Sequence, residues 1–296
     1  MGSPHRQGFP LVQQPQPVKT STPLGALWLS LRPRHWVKNA FVLAPLLFSK
    51  KIFQPSCIVS AFGAAVAFCL AASAAYLVND TLDRQRDKEN PRTAHRPLAS
   101  GVLSARLALL AAAALFALAL FLASLVHALV PVASYVLGST LYSLVLKGLP
   151  ILDVASLASF YLLRLWAGSV AIDVPASPWL LTCGGLLALV TSWGKRLETG
   201  HPLYPMGVLR VGLSVLTAAS FMSYLAYTLS PTARASFGWG MTLTLPWVGW
   251  ALFRYWRQAL AGKGDPITCF FSDRPLRTAA LLWAATALVV VAHTVF

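Results

Sequence analysis

The sequence predicts an all-α, polytopic membrane protein of about nine transmembrane helices, and three observations carry that expectation. Only 11% of its 296 residues are charged while 56% are hydrophobic, well below the charge content of soluble domains. Apolar runs of bilayer-spanning length recur from about residue 36 to the C-terminus. Lys and Arg gather in alternate connections, as cytoplasmic loops require.

The N-terminal 30 residues have basic and polar positions but no apolar core followed by a small-residue cleavage site, which argues against a removed secretory signal. Pro4, Pro10, Pro15 and Pro17 suggest instead a flexible cytoplasmic arm over 1–30, ahead of a single intramembrane domain over 31–296. The first expected span, 37–52, has a second reading as an interfacial helix. Trp36 and its basic neighbours suit a membrane surface, and Pro45 permits a kink. Spans are then expected at 57–78, 105–124, 128–146, 151–170, 178–194, 206–229, 240–256 and 277–295, the eighth being weak like the first. Arg32, Arg34 and Lys38 precede the first span and Lys147 follows the fourth. Lys195 and Arg196 follow the sixth, and Arg254, Arg257, Lys263 and Arg274 surround the connection after the eighth. The connections SLVHALVP and AIDVPASP are poor in cations, and Lys50 and Lys51 are the exception. This asymmetry predicts a cytoplasmic N-terminus, an external C-terminus and charged connections converging on one cytoplasmic face of an inner or plasma membrane.

Cys57, Cys69, Cys183 and Cys269 are scattered, with neither metal-binding nor disulfide spacing. The formal charge of +15 has this topological explanation, and no zinc pattern or recognition helix points to nucleic acid. Oligomeric state leaves no signature.

Chemistry concentrates in NDTLDRQRDKENPRTAHRP, residues 79–97, which holds four of the nine acidic residues. Asp80, Asp83 and Asp87 are spaced i, i+3 and i+7, one face of a continuing helix, with Asn79 beside them. Clustered carboxylates repel unless a cation binds them or their proton affinities rise. Mg2+ suits such oxygen ligands and commonly bridges carboxylate to substrate phosphate. A solvated helix cap is the plain alternative, but placement against a membrane span favours a Mg2+–diphosphate site. Arg84, Arg86, Arg92 and Arg96 stand by to contact phosphate or to remain in the wet edge. Further candidate phosphate contacts are Lys38, Lys147, Arg164, Lys195 and Arg196. Arg164 lies within a span, where it contacts an anionic headgroup, pairs internally or snorkels to the interface. Lys147 and Asp153 flank a short turn, and Glu198 is either an ordinary helix-end acid or a second metal ligand.

The motif NDxxDxxxD at 79–87, RPLASG at 96–101 and the multi-span layout resemble the UbiA-type intramembrane prenyltransferase superfamily. RPRHWVKN at 32–39, YSLVLKGLPILDV at 142–154, LLRLWAGSVA at 162–171, GKRLE at 194–198, GKGDPI and DRPLR at 273–277 look more like its decaprenyl-phosphate phosphoribosyltransferase branch. The resemblance covers roughly 30–295 and implies a nine-helix bundle around a cytoplasm-facing cavity with Mg2+. It also implies two substrates, a long-chain polyprenyl phosphate and 5-phosphoribosyl 1-diphosphate, with membrane lipids around the protein. The lipid phosphate attacks C1 of the sugar and diphosphate leaves. By the same comparison Asn79, Asp80, Asp83 and Asp87 form the first polar motif, and Lys195, Arg196 and Glu198 the second. The chain departs from the family pattern at Asn90, where His is usual, and at Thr93 and Ala94, where Lys-Arg is usual; Arg92 and His95 stand nearby. HPLYPMGVLR after Glu198 also diverges. Two alternatives remain: prenyl transfer from a polyprenyl diphosphate to an aromatic or lipid acceptor, and a non-enzymatic lipid or anion transporter.

Overall fold

The computed structural model describes residues 22–149, 151–200 and 204–296, and every regular element among them is helical. Of the arm expected over 1–30, residues 1–21 lie outside the described residues, as do 201–203 of HPLYPMGVLR. From Pro23 the chain is already helix α1 (Pro23–Ser30), capped by the Thr22 hydroxyl, which accepts from the Gly25 N–H at 3.3 Å.

The first expected span is not one helix. Arg32 takes a left-handed backbone (φ 54°), and a 3-10 run, Pro33–Leu43, leads into the short helix α2 (Ala44–Phe48). Lys50 is again left-handed (φ 62°) before a 3-10 turn at Lys51–Phe53. Each left-handed residue reverses the helical path, and Pro33 and Pro45 supply no N–H to continue a ladder.

Regular helices follow: α3 (Pro55–Leu82), α4 (Arg84–Glu89), α5 (Ala105–Leu125), α6 (Leu129–Leu144), α7 (Leu152–Ala171) and α8 (Pro178–Thr199). The remainder are α9 (Met206–Leu229), α10 (Pro231–Phe237), α11 (Leu245–Leu260), α12 (Pro266–Ser272) and α13 (Arg274–Val295). Local chemistry sets many of the starts. Ser104, Ser177 and Ser230 each accept a hydrogen bond from the N–H three residues on, at 3.3, 3.1 and 3.2 Å. Proline in the first turn of α3, α8, α10, α12 and α13 removes a donor that has no partner there anyway.

The expected nine spans are not clearly present. Among the described residues five helices, α3, α5, α7, α9 and α13, are long and apolar enough to cross a bilayer. Helix α6 is apolar but only 16 residues long, about 24 Å at 1.5 Å per residue and short of a ~30 Å hydrocarbon core. The expected eighth span opens as a 3-10 run, Gly240–Thr244, and its α-helical part is also 16 residues. The chain is nonetheless a multi-pass membrane bundle.

Two of the bundle's packed groups flank the α7–α8 contact. Alanines dominate the α3–α5 contact: Ala64, Ala67, Ala71 and Ala74 on α3 and Ala108, Ala112, Ala119 and Ala123 on α5 are all buried. Small side chains let two helices approach closely where lipid offers no hydrophobic drive. Val42, Phe68, Tyr135 and Phe160, from the broken segment, α3, α6 and α7, pack with Ala64, Ala67, Ala71, Ala119 and Ala123 as one group. A second group collects Val190, Leu209, Leu213, Tyr255 and Cys269 from α8, α9, α11 and α12. Packing of α7 on α8 joins the two, while α12 touches both α8 and the 33–43 run.

Irregular backbone is tolerated within a membrane only when protein covers it or it lines a cavity. Helix α7 provides the cover. Gly168 lies so close to the Val42 carbonyl that a Cβ there would stand 1.9 Å from the oxygen. Arg164 Nε donates to Asn39 Oδ1 at 2.7 Å, and Lys51 Nζ donates to the Ile172 carbonyl at 2.9 Å. Gly168→Ala is therefore expected to lower stability by about 1–3 kcal/mol through forced separation of these two backbones. Gly207→Ala, where an added Cβ meets nothing within 4 Å, serves as the control, with thermal unfolding in detergent as the measurement.

Candidate functional site

The acidic motif sits where α3 ends. Asp83 caps that helix (φ −86°, ψ 2°) and its carbonyl accepts the Asp87 N–H at 2.8 Å as α4 begins. The single continuous helix expected through 79–87 is thus interrupted for one residue, and Asp83 parts from the other two carboxylates. Asp80 is buried and receives Arg32 Nη2 at 2.6 and 2.8 Å on its two oxygens. Arg96 Nη1 reaches both Asp80, at 3.3 Å, and Asp87, at 2.8 Å. Asp83 turns instead to Lys147 Nζ, 2.5 Å away on the connection after α6. Asn79 is half-buried beside them, its carbonyl accepting the Asp83 N–H at 2.9 Å.

The residues that depart from the family pattern hold this loop in shape. Thr93 Oγ1 donates to the Asp87 carbonyl at 3.1 Å, the Ala94 N–H donates to the Asn90 carbonyl at 2.9 Å, and Asn90 Oδ1 accepts from the Arg92 N–H at 3.0 Å. Arg84 Nε fastens α4 to the Leu98 carbonyl at 3.1 Å. The Arg92 side chain is exposed on the turn and His95 is half-buried.

A second charged group lies between α7 and α8. Asp153 is fully buried and paired with Arg196 Nε at 2.7 Å, while Arg196 Nη2 donates to the Tyr142 hydroxyl at 3.1 Å. Lys38 and Lys195 are half-buried on the broken segment and α8. Glu198 accepts the backbone N–H of Asp265, which anchors the 262–265 loop to α8. Arg164 is enclosed rather than open: besides Asn39 it donates to the Phe160 carbonyl at 2.7 Å, and the rings of Phe68, Tyr135 and Tyr161 surround its guanidinium at 5.0–5.5 Å. Cation–π contacts and two acceptors replace the missing carboxylate, so its visible work is to fix the segment carrying Lys38.

Among the described residues no three His, Cys, Asp or Glu side chains stand close enough to hold a metal ion. Asp80 and Asp87 nevertheless meet at one guanidinium nitrogen, so their oxygens already converge on a position filled by a cation. An all-carboxylate donor set of this kind suits Mg2+. Asp83 and Glu198 are directed to Lys147 and the Asp265 backbone and do not join that convergence.

In the sequence Arg32 reads as a topological anchor and as part of RPRHWVKN, and neither His35 nor Tyr76 receives a role of its own. Arg32 stacks 4.8 Å over the Tyr76 ring, and the Tyr76 hydroxyl meets His35 Nδ1 at 3.3 Å. RPRHW did supply a signal, a dense run of cations and rings, but the left-handed turn that folds Arg32 back onto Asp80 is invisible in the letters. Burial, followed by the charges of Lys38 and Arg32, pushes His35 down to about 3.

The family model described as the UbiA prenyltransferase family matches residues 40–284. The chain is 34% identical over 280 residues to the decaprenyl-phosphate phosphoribosyltransferase of Corynebacterium glutamicum, covering 86% of this chain and 83% of that one. It is 32% identical over 279 residues to the enzyme of the same name from Mycobacterium tuberculosis, covering 87% and 91%. In fold it is similar to a UbiA homolog from Archaeoglobus fulgidus bound to GPP and Mg2+, with a TM-score of 0.69 at 16% identity over 90% of this chain and 99% of that one. A digeranylgeranylglyceryl phosphate synthase structure gives 0.63 at 16% identity, covering 90% and 98%.

The depressed His35 carries a pH signature. The folded state keeps the imidazole neutral while the unfolded chain protonates near its ordinary value of 6.5. This contribution is intact above 6.5 and declines as pH falls from there toward 3. His35→Asn is expected to lose less stability than the unsubstituted protein between pH 7.5 and pH 5, by up to about 2 kcal/mol. Thermal unfolding at the two pH values measures the difference.

Proposed function

Because this chain belongs to the UbiA prenyltransferase family, we propose that it is a Mg2+-dependent intramembrane transferase that moves a 5-phosphoribosyl group from 5-phosphoribosyl 1-diphosphate to a long-chain polyprenyl phosphate. The observation that carries the reading is the convergence of Asp80 and Asp87 on one cation position, ringed by Arg32, Arg96 and Lys147 at the polar end of an apolar bundle. Likeness to two phosphoribosyltransferases over most of the chain supports this donor over a prenyl diphosphate.

Asp80, Asp83 and Asp87 would hold the metal, with Glu198 a further candidate that first has to leave the Asp265 N–H. When bound, Mg2+ neutralises charge on the departing diphosphate. The protein's own cations share that task. Arg96 and Lys147 pair with Asp87 and Asp83, and exchange of these partners would bring their positive charge to phosphate oxygens. Lys38, Lys195, Arg196 and the exposed Arg92 extend the same positive lining, the last at the loop surface. Arg164 contributes by holding the Lys38 segment through Asn39. An oxygen of the lipid phosphate forms the new bond to C1 of the ribose, the bond from C1 to the diphosphate oxygen breaks, and diphosphate departs with the electron pair. The nucleophile is already anionic, so no protein base is required. The charged connections face the cytoplasm of an inner or plasma membrane, where the soluble donor is available.

Purified protein in lipid nanodiscs, given Mg2+ and both substrates, is expected to yield a phosphoribosylated lipid detectable by mass spectrometry. Formation of a prenylated aromatic product from a polyprenyl diphosphate instead would overturn the assignment, and flux without covalent change would favour a transporter. Removal of Mg2+ with EDTA should abolish turnover and its return should restore it. Asp83→Asn should reduce turnover about 100-fold or more without altering membrane insertion; an unaffected rate would exclude Asp83 from the site.

A further inference from the structure

The loop between α11 and α12 is held unusually firmly for a connection. Gly264 packs against α8 so tightly that a Cβ would lie 1.8 Å from the Gly194 carbonyl oxygen. The Tyr255 hydroxyl bridges the two elements, 2.7 Å from the Gly264 carbonyl and 3.1 Å from that of Thr191. Glu198 takes the Asp265 N–H. These contacts hold Asp265, at the start of α12, beside α8 and the 33–43 run, within electrostatic reach of Lys38, Lys195 and His35.

Asp80, Asp83, Asp87, Asp153 and Asp273 each form an ion pair, whereas Asp265, like Glu198 beside it, forms none within 4 Å among the described residues. Its Oδ2 accepts from both the N–H and the hydroxyl of Thr268, at 2.9 and 2.8 Å, and Oδ1 has no protein hydrogen-bond donor among those described. A carboxylate with a free oxygen, fixed within reach of Lys38 and Lys195, repels phosphate and accepts hydroxyl.

We propose that Asp265 is a specificity residue that accepts hydrogen bonds from hydroxyl groups of the sugar in the donor, while the surrounding lysines and arginines take its phosphates. Tyr255 acts as a positioning residue for it, through its bond to the Gly264 carbonyl. The proposal rests on the phosphoribosyl reading of the site. A carboxylate paired with ribose hydroxyls is a recurrent means of recognising that sugar, and a hydroxyl-to-carboxylate bond is strong enough to discriminate.

Asp265→Asn retains size and the capping acceptor but not the charge. In nanodiscs with Mg2+, it is expected to raise KM for 5-phosphoribosyl 1-diphosphate roughly 10-fold or more and to leave KM for the lipid phosphate unchanged. It should also erase the preference for the natural donor over an analogue lacking the ribose 2-hydroxyl. Thr268→Val removes a capping bond while keeping the carboxylate, and its donor preference should match the unsubstituted protein. Equal donor preference in Asp265→Asn and the unsubstituted protein would overturn the role of Asp265 alone. So would a parallel loss of preference in Thr268→Val, because capping would then explain the effect. Lack of any phosphoribosyl transfer by the unsubstituted protein would instead sink the functional reading, and this inference with it.

Discussion

The buried attachment of α7 to the broken 33–48 segment supports everything else in the polar end of this molecule. A membrane-embedded chain that abandons the α-helical ladder needs protein on every side. Here a guanidinium, an asparagine and a missing Cβ meet that need: Arg164 holds Asn39, and Gly168 admits the Val42 carbonyl. On the opposite side Trp36 Nε1 donates to Ser73 Oγ at 3.0 Å, and Ser73 in turn donates to the Leu31 carbonyl at 3.0 Å. Fixed between α3 and α7, the segment presents Arg32, His35 and Lys38 toward the carboxylates and α8. Loss of this anchoring would disperse those three groups together.

The ion pairs at that end join distant stretches of chain. Asp80 meets Arg32 from 48 residues away, Asp83 meets Lys147 from 64, and Asp153 on α7 meets Arg196 on α8. Such pairs contribute little net stability when partly buried, because desolvation offsets attraction. Their value lies in specificity and exchange. Each carboxylate is neutralised by a cation of the protein. Those same cations are the ones that a phosphorylated substrate would recruit.

The helical class, the multi-pass character and the position of most helices follow from hydropathy and cap chemistry, because apolar runs and Ser, Asp or Pro at helix starts act locally. The spacing of Asp80, Asp83 and Asp87 against a membrane edge, and the family resemblance, are equally plain in the letters. What the letters leave open is set by contacts across long sequence separations. The interruption at Asp83 sends that side chain to Lys147 and splits a face that periodicity alone keeps whole. Left-handed Arg32 and Lys50 convert an apparent first span into a folded-back segment. The orientation of Glu198 and Asp265 depends on a glycine-to-glycine approach between α8 and a loop 70 residues later, from Gly194 to Gly264. Local sequence determined the helices and the identities of the charged groups; only tertiary packing decided which charge faces which, because pairing energies act through space and close backbone approaches select the partners.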